Sequence, residues 1–167
     1  LQLLVNGNKP LIDLDTFLRQ IWLECCGHMS QFSIGRYQEI TMGNLNKQFM
    51  RKGFKFNYIY DWGSSTELEL KVINEHLLPM EASIQLLSRN EFLKMPCDAC
   101  QKRPAEYFCH AHDWGEPSHF CEECSDNHET TCEEAEYSMV NLVNSPRSGV
   151  CGYNGGTIDT ARDTLTA

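Results

Sequence analysis

Eight cysteine and histidine residues fall into four pairs between residues 97 and 132, and this pattern constrains the chain more than any other feature. In three pairs two residues separate the two side chains, and in the last pair three do, so both members of a pair can bind one ion from a single turn. Two tetrahedral zinc ions need eight ligands, which is the number present. The spacing therefore predicts two zinc ions. The predicted ligands, in chain order, are Cys97, Cys100, Cys109, His112, Cys121, Cys124, His128 and Cys132.

The spacing alone leaves two ways of dividing the four pairs between two ions. In a cross-brace the first pair joins the third and the second joins the fourth, whereas in a sequential arrangement neighbouring pairs join. The twenty residues between Cys100 and Cys121 fall within the range that separates the halves of known four-cysteine zinc sites. Three further donors in the same stretch compete with the predicted ligands: His110, Asp113 and His119.

The stretch that carries these pairs is also strongly acidic. Residues 97–138 hold two basic and eleven acidic residues, and the rest of the chain is balanced, so this stretch carries the whole formal charge of −9. Nucleic acids are bound by clustered Lys and Arg, and an acidic surface on a rigid scaffold favours a basic protein partner instead. The acidic residues expected to face that partner are Glu116, Glu122, Glu123, Glu133, Glu134 and Glu136.

Disulfide bonding, redox catalysis and deamination account for the cysteines less well than structural zinc does. The odd count of nine cysteines and the lack of a signal-peptide pattern disfavour disulfides and predict reduced thiolates in the cytoplasm. A redox C-x-x-C motif lacks its neighbouring βαβ pattern. A zinc deaminase needs an upstream His-x-Glu, and neither His28 nor His76 has Glu at the second following position. With eight protein ligands neither zinc keeps a place for an activated water, so we expect structural ions and no enzyme.

The first half of the chain contains one well-marked helix. Apolar residues recur at helical spacing from a predicted N-cap at Asp13 to a stop at Gly27. Two adjacent cysteines, Cys25 and Cys26, lie at the end of this pattern. Because cysteine is often buried as a small apolar side chain, we expect both to be buried.

Alternating apolar and polar residues predict strands around this helix. We expect strands at 1–5, 32–34 and 84–87, and a hairpin whose strands lie within 54–60 and 67–72. The aromatic residues of the hairpin are expected to form core rather than a stacking platform, because no Arg alternates with them. The predicted class is therefore α+β, with a compact antiparallel sheet, a packed helix and a small zinc-binding module.

A short basic cluster supports an alternative function. Beside the exposed part of the aromatic stripe, four basic residues would allow contact with nucleic acid. They are Lys47, Arg51, Lys52 and Lys55. A membrane span is not expected, because no apolar run approaches the roughly 20 residues that it needs.

Three segments resemble the plasmid pRiA4b ORF-3-like family, some of whose members are associated with plasmids and insertion elements. They are His28-Met-Ser-Gln-Phe32, Phe56-Asn-Tyr-Ile-Tyr-Asp-Trp-Gly63 and Asn144-Ser-Pro-Arg-Ser-Gly-Val-Cys-Gly-Tyr153. The resemblance implies a compact α+β domain to which the segment around Cys151 returns, so that the cysteine-rich stretch is an insertion. The chain departs from the family after Gly63, where relatives carry an acidic residue, a Trp and a His.

The cysteine-rich stretch itself resembles a B-box zinc finger, in which the pairs interleave. The matching residues are Cys97-x2-Cys100, Pro104-Ala-Glu-Tyr-Phe-Cys109 and Phe120-Cys-x2-Cys124, while the closing His128-x3-Cys132 is similar to the end of a MYND finger. The resemblance favours the cross-brace. One ion is then expected on Cys97, Cys100, Cys121 and Cys124, and the other on Cys109, His112, His128 and Cys132.

The expected organisation has four parts. Residues 1–94 begin the α+β domain, 95–137 form the finger, 138–155 return to the domain, and 156–167 form a flexible tail with a short helix from Asp159. The expected function is a non-catalytic zinc-binding adaptor for a protein partner. The alternatives are a nucleic-acid-associated accessory protein of a plasmid or insertion element, and an enzyme with a site near 147–153.

Overall fold

The computed structural model describes residues 1–36, 38–112 and 116–158, and these divide into two compact units. Unit 1 comprises residues 1–90 together with 156–158, and unit 2 comprises 91–155. Helices and antiparallel strands are both present, which confirms the predicted α+β class. The segment 138–155, which the sequence assigns to the first domain, groups with unit 2 instead. The short helix expected from Asp159 lies outside the described residues.

The described part of unit 1 contains two antiparallel sheets. Their strands are β1 Gln2–Val5, β2 Ser30–Ile34, β3 Gln38–Ile40, β4 Lys55–Tyr60, β5 Thr66–Lys71 and β6 Ile84–Ser88. The larger sheet has the strand order β3-β2-β4-β5, and the smaller sheet pairs β1 with β6. The strands predicted at the start of the chain, around Phe32, in the hairpin and near Ile84 are confirmed. β3 has no alternating pattern and was not predicted.

The helix of unit 1 begins earlier and ends earlier than its apolar spacing predicts. Helix α1 spans Leu11–Leu18, and a π-helical turn at Arg19–Leu23 continues it. The predicted N-cap at Asp13 is wrong: Pro10 precedes the helix and Asp13 lies in its first turn. The predicted end at Gly27 is also wrong, because the backbone is already extended at Glu24.

An apolar core between α1 and the larger sheet holds unit 1 together. Leu11, Leu14 and Leu18 lie on one face of the helix, and each is at most 2% exposed. They pack in one cluster with the aromatic side chains of β2 and β4. The hairpin aromatics are therefore core, as predicted, and each fully buried side chain contributes about 1.5–3 kcal/mol to folding. The aromatic members are Phe32, Phe56, Tyr58 and Tyr60.

A buried polar network fastens α1 to the same sheet. Asp15, 5% exposed, accepts hydrogen bonds from the Tyr58 hydroxyl at 2.8 Å and the Ser30 hydroxyl at 2.5 Å. Arg19 Nε donates to the same carboxylate at 3.0 Å. Burying a carboxylate is costly unless it is hydrogen-bonded, and these three donors satisfy it.

Unit 2 is built from short elements. Its strands β7 Tyr107–Cys109, β8 His119–Phe120 and β9 Met139–Asn141 form a sheet of order β8-β7-β9, and its helices are α2 Glu122–Glu129 and α3 Ala135–Ser138. Of the seven buried apolar residues that the structure describes here, three are cysteines and two are alanines, so only two are large apolar side chains. These buried residues are Cys97, Ala105, Cys109, Phe120, Cys121, Ala135 and Tyr153. Across the described ranges of both units, no helix has the length and apolar character that crossing a membrane requires.

Candidate metal centre

The eight predicted ligands lie in two groups of four within unit 2. The four-cysteine group comprises Cys97, Cys100, Cys121 and Cys124, and the mixed group comprises Cys109, His112, His128 and Cys132. Within each group, one donor atom from every residue lies within 4.8 Å of the other three. The first sequence pair meets the third and the second meets the fourth, so the two groups interleave along the chain.

Two local structures position the sulfurs of the four-cysteine group. Cys97 and Cys100 lie in a tight turn in which the Gln101 N–H donates to the Cys97 carbonyl at 2.9 Å. Cys121 precedes α2 and Cys124 lies in its first turn, so both side chains leave the same end of the helix. The Cys100 and Cys121 sulfurs are 3.9 Å apart. A tetrahedral zinc with Zn–S bonds of about 2.3 Å separates its sulfurs by about 3.8 Å, so the spacing fits zinc.

Backbone N–H groups favour the thiolate form of two of these cysteines. Hydrogen bonds from the Lys102 and Arg103 N–H groups lower the pKa of Cys100 to about 6. Burial opposes ionisation of Cys97, but backbone N–H groups, that of Cys121 first among them, outweigh it and lower the pKa. Donors that hold a ligand from outside the coordination sphere also fix its orientation, so this turn is prepared for metal binding.

The fourth cysteine of this group shows why a cation is needed. Desolvation first, and then the thiols of Cys121, Cys97 and Cys100, raise the pKa of Cys124 to about 12. Four thiolates this close repel one another strongly. A divalent cation between them removes that repulsion and deprotonates the remaining thiol, so the donor set suits a bound metal.

The mixed group directs two imidazole rings at one point. The Nε2 atoms of His112 and His128 are 3.0 Å apart. His112 Nδ1 lies 2.9 Å from a carboxylate oxygen of Glu116, which assigns the ring proton to Nδ1 and leaves Nε2 for a metal. Glu116 therefore positions a ligand, a role that the sequence analysis missed although the His-to-Glu spacing of four residues could have signalled it.

The pKa shifts of Cys109 and His128 and the position of Cys132 agree with a shared cation. Burial raises the pKa of Cys109, with the nearby Cys132 thiol adding to the effect. Burial lowers the pKa of His128, and the neighbouring His112 lowers it further. Cys132 follows α2, but its N–H still donates to the His128 carbonyl at 2.9 Å, so the two side chains remain one turn apart.

The described competing donors join neither group. The exposed His110 ring packs edge-on against Phe108, with ring centres 4.7 Å apart. His119 Nδ1 lies 3.2 Å from a carboxylate oxygen of Asp98, which also accepts the His119 N–H. Asp113 lies outside the described residues.

A third Cys/His group lies in unit 1. One donor atom from each of Cys25, Cys26 and His28 lies within 4.8 Å of the others. Cys25 is half-buried and Cys26 is exposed, so the prediction that both are buried is wrong. The cause is the early end of the helix at Glu24, which leaves both cysteines in a loop.

The basic cluster proposed for nucleic acid is exposed but engaged locally. Lys47 Nζ donates to the Asn8 side-chain oxygen at 2.8 Å, and Lys55 pairs with Glu69 at 3.0 Å. Arg51 donates to the Lys47 carbonyl at 2.5 Å. Because the neighbouring rings of β4 belong to the core, bases cannot stack on them.

No protein-family model, curated protein or solved structure matches this chain. The case for a function therefore depends on the donor atoms, their spacing and the surfaces around them.

Proposed function

We propose that unit 2 is a two-zinc, B-box-like cross-brace and that the protein is a non-catalytic adaptor that binds a basic segment of another protein through it. The observation that carries the proposal is the division of the eight predicted ligands into two interleaved groups of four. A structural zinc takes four cysteine or histidine ligands, and each group supplies four. All coordination positions are then filled, which leaves none for a reacting water.

The small core of unit 2 supports the same proposal. Its strands have two or three residues each, and cysteines make up much of its buried apolar surface. Structural zinc contributes on the order of 10–16 kcal/mol per ion at neutral pH, which is enough to fold a segment that apolar burial cannot. Thiolate ligands need a reducing compartment, so we propose the cytoplasm as the location.

An acidic groove in unit 2 supports a basic partner. The groove has a volume of about 650 Å³ and carries the exposed Glu129, Glu133 and Glu136 beside the half-buried Met139 and Val140. A Lys or Arg side chain can lay its aliphatic part on the apolar residues and place its charge among the carboxylates.

The six acidic residues named from the sequence do not share one surface role in the structure. Glu133 and Glu136 line the groove, whereas Glu116 contacts His112 and Glu123 pairs with Arg103. We propose the groove, rather than the whole acidic surface, as the partner site.

The resemblance of unit 1 to the pRiA4b ORF-3-like family remains a proposal. Its support is the segment 56–63, which forms most of β4 and then the sharp turn after it, where Asp61 has φ of 64°.

Cadmium substitution tests the zinc arrangement. In ¹¹³Cd NMR of the full chain, Cys97→Ser and Cys121→Ser should remove the same resonance, and Cys109→Ser should remove a different one. Loss of one common resonance in Cys97→Ser and Cys109→Ser would instead establish the sequential arrangement. Absence of bound zinc from the purified, reduced protein would overturn the proposal.

Binding of a Lys/Arg-rich peptide tests the partner site. We expect micromolar binding that weakens as salt increases, and a loss of about tenfold for the double variant E133Q/E136Q. The matched control is Glu39→Gln, which removes an exposed carboxylate in unit 1. Equal affinities for the two variants would exclude the groove.

A further inference from the structure

The loop that carries Cys25, Cys26 and His28 is held in place by charged hydrogen bonds. Arg19 Nη1 donates to Glu24 at 2.6 Å, and Arg19 Nη2 donates to the His28 carbonyl at 2.7 Å. Glu24 in turn accepts the Gly27 N–H at 2.5 Å, and Gly27 has φ of 81°. Both ends of the loop are thereby fixed to Arg19, the first residue of the π-helical turn. Such π-helical turns frequently occur at functional sites.

The three side chains converge, and the spacing of the two sulfurs suits one ion. The Cys25 and Cys26 sulfurs are 3.7 Å apart, far beyond the 2.05 Å of a disulfide bond and close to the roughly 3.8 Å between two zinc-bound sulfurs. The Cys26 sulfur lies 3.0 Å from His28 Nε2. Two sulfurs and one imidazole nitrogen therefore surround a common point.

A buried carboxylate adds negative charge at the same place. Asp61 is 5% exposed, and its Oδ2 lies 3.5 Å from His28 Nε2. Its other oxygen accepts the Gly63 N–H at 2.9 Å, and its own N–H donates to the Met29 carbonyl at 2.9 Å. Asp61 also has φ of 64°, a left-handed conformation that costs free energy in a residue other than glycine. A residue in an unfavourable backbone conformation thus places a buried anion beside this histidine.

We propose that Cys25, Cys26 and His28 are three ligands of a further Zn²⁺ ion in unit 1, with Asp61 as a nearby buried carboxylate whose charge favours the cation. This site is separate from the two groups in unit 2. Thiolate and imidazole together select zinc over magnesium or calcium, which prefer oxygen. Two thiolates neutralise the charge of Zn²⁺.

Metal content of matched full-chain variants tests the site. The double variant C25S/C26S should hold one zinc ion fewer than the wild type, and His28→Ala should also lose that ion. His76→Ala is the matched control, because His76 is an exposed histidine of unit 1 that belongs to none of the three groups. Equal zinc content in wild type and C25S/C26S would overturn the proposal. Because the readout is a difference, it holds whether or not unit 2 binds two ions.

Thiol alkylation tests the same site without any substitution. Cys26 is exposed, so a maleimide should modify it rapidly unless a metal holds the sulfur. Peptide mass spectrometry of zinc-loaded protein should show Cys25 and Cys26 protected, and a chelator should expose both. Equal modification rates with and without chelator would overturn the proposal.

Replacement of Asp61 tests the contribution of its charge. Asp61→Asn should weaken zinc at this site by about tenfold in competition with a chelating dye, because it removes a buried negative charge beside the cation. The number of ions at saturating zinc should stay that of the wild type. An unchanged affinity would exclude Asp61 from the site.

Discussion

The two units differ in the kinds of side chain that they bury. Unit 1 buries leucine, phenylalanine and tyrosine side chains between α1 and a four-stranded sheet. Unit 2 buries three cysteines and two alanines with only two large apolar side chains, Phe120 and Tyr153, and its elements have two to eight residues. Apolar burial stabilises a domain in proportion to the area removed from water, whereas a metal supplies a large contribution at one point. The difference means that each unit should respond to a perturbation that leaves the other intact.

The largest expected effect is metal removal. A strong chelator should unfold residues 97–132, because about 10–16 kcal/mol per ion is withdrawn from a unit with little apolar core. Hydrogen exchange measured by mass spectrometry should show loss of protection in peptides of unit 2. Peptides of β2, β4 and β5 should keep theirs. If unit 2 stays protected after its zinc is gone, its stability does not come from metal.

The reverse perturbation is a cavity in unit 1. Phe32 is 0% exposed and packs with its ring centre 4.6 Å from that of Tyr58. Phe32→Ala should lower the free energy of unfolding of unit 1 by about 3–5 kcal/mol in urea titrations. Zinc content and unit 2 protection should stay as in the wild type. Leu78→Ala, at a position of unit 1 that is 60% exposed, is the control and should cost far less.

A smaller expected effect is a loss of stability of unit 1 at high pH. Burial, and then the charge of Asp15, raises the pKa of Tyr58 above its ordinary value. A raised pKa means that the unfolded chain loses this proton first, so the contribution of Tyr58 is complete below about pH 10 and declines as pH rises further. In chelated protein, urea unfolding of unit 1 should show this decline above about pH 10.

Replacement of the hydroxyl checks the assignment. Tyr58→Phe should cost about 1–2 kcal/mol at about pH 8, because Asp15 loses one of its three donors. The same variant should lose less stability than the wild type on going to high pH. If both proteins decline in parallel, another group is responsible.

The smallest expected effect is that of a surface ion pair. Lys55 and Glu69 lie 3.0 Å apart across β4 and β5, with side chains 55% and 63% exposed. Glu69→Gln should change stability by only about 0–1 kcal/mol, and added salt should erase the difference. A larger, salt-independent loss would show that the stability of unit 1 depends on more than its apolar core.

Periodic features of both units were predictable from the sequence. The hairpin follows from alternation, and the β4 register pairs Tyr58 with Leu68 as that alternation requires. Metal-ligand pairs are equally regular, because a ligand pair must share one turn. Both patterns arise from residues that lie close together in the chain, so their spacing can be recognised in the sequence.

Features that depend on residues distant in sequence were not predictable. Asp15 and Ser30 are brought together by the packing of α1 on β2, and no spacing signals that contact. The convergence of Asp61 on His28 is of the same kind. The end of α1 was missed because Ile21 and Trp22 continue the apolar period through the π-helical turn, where the backbone, but not the side-chain pattern, changes.

Interleaving gives unit 2 a property that neither ion provides alone. A single cut of the chain between His112 and Glu116 separates the first two ligand pairs from the last two. In the interleaved arrangement every bound ion would still hold ligands from both pieces, so the cut protein would stay together until a chelator released it. In a sequential arrangement each piece would keep its own ion and the two could diffuse apart. The metal-bound cross-brace would thus join the two segments as a cross-link that chelation reverses.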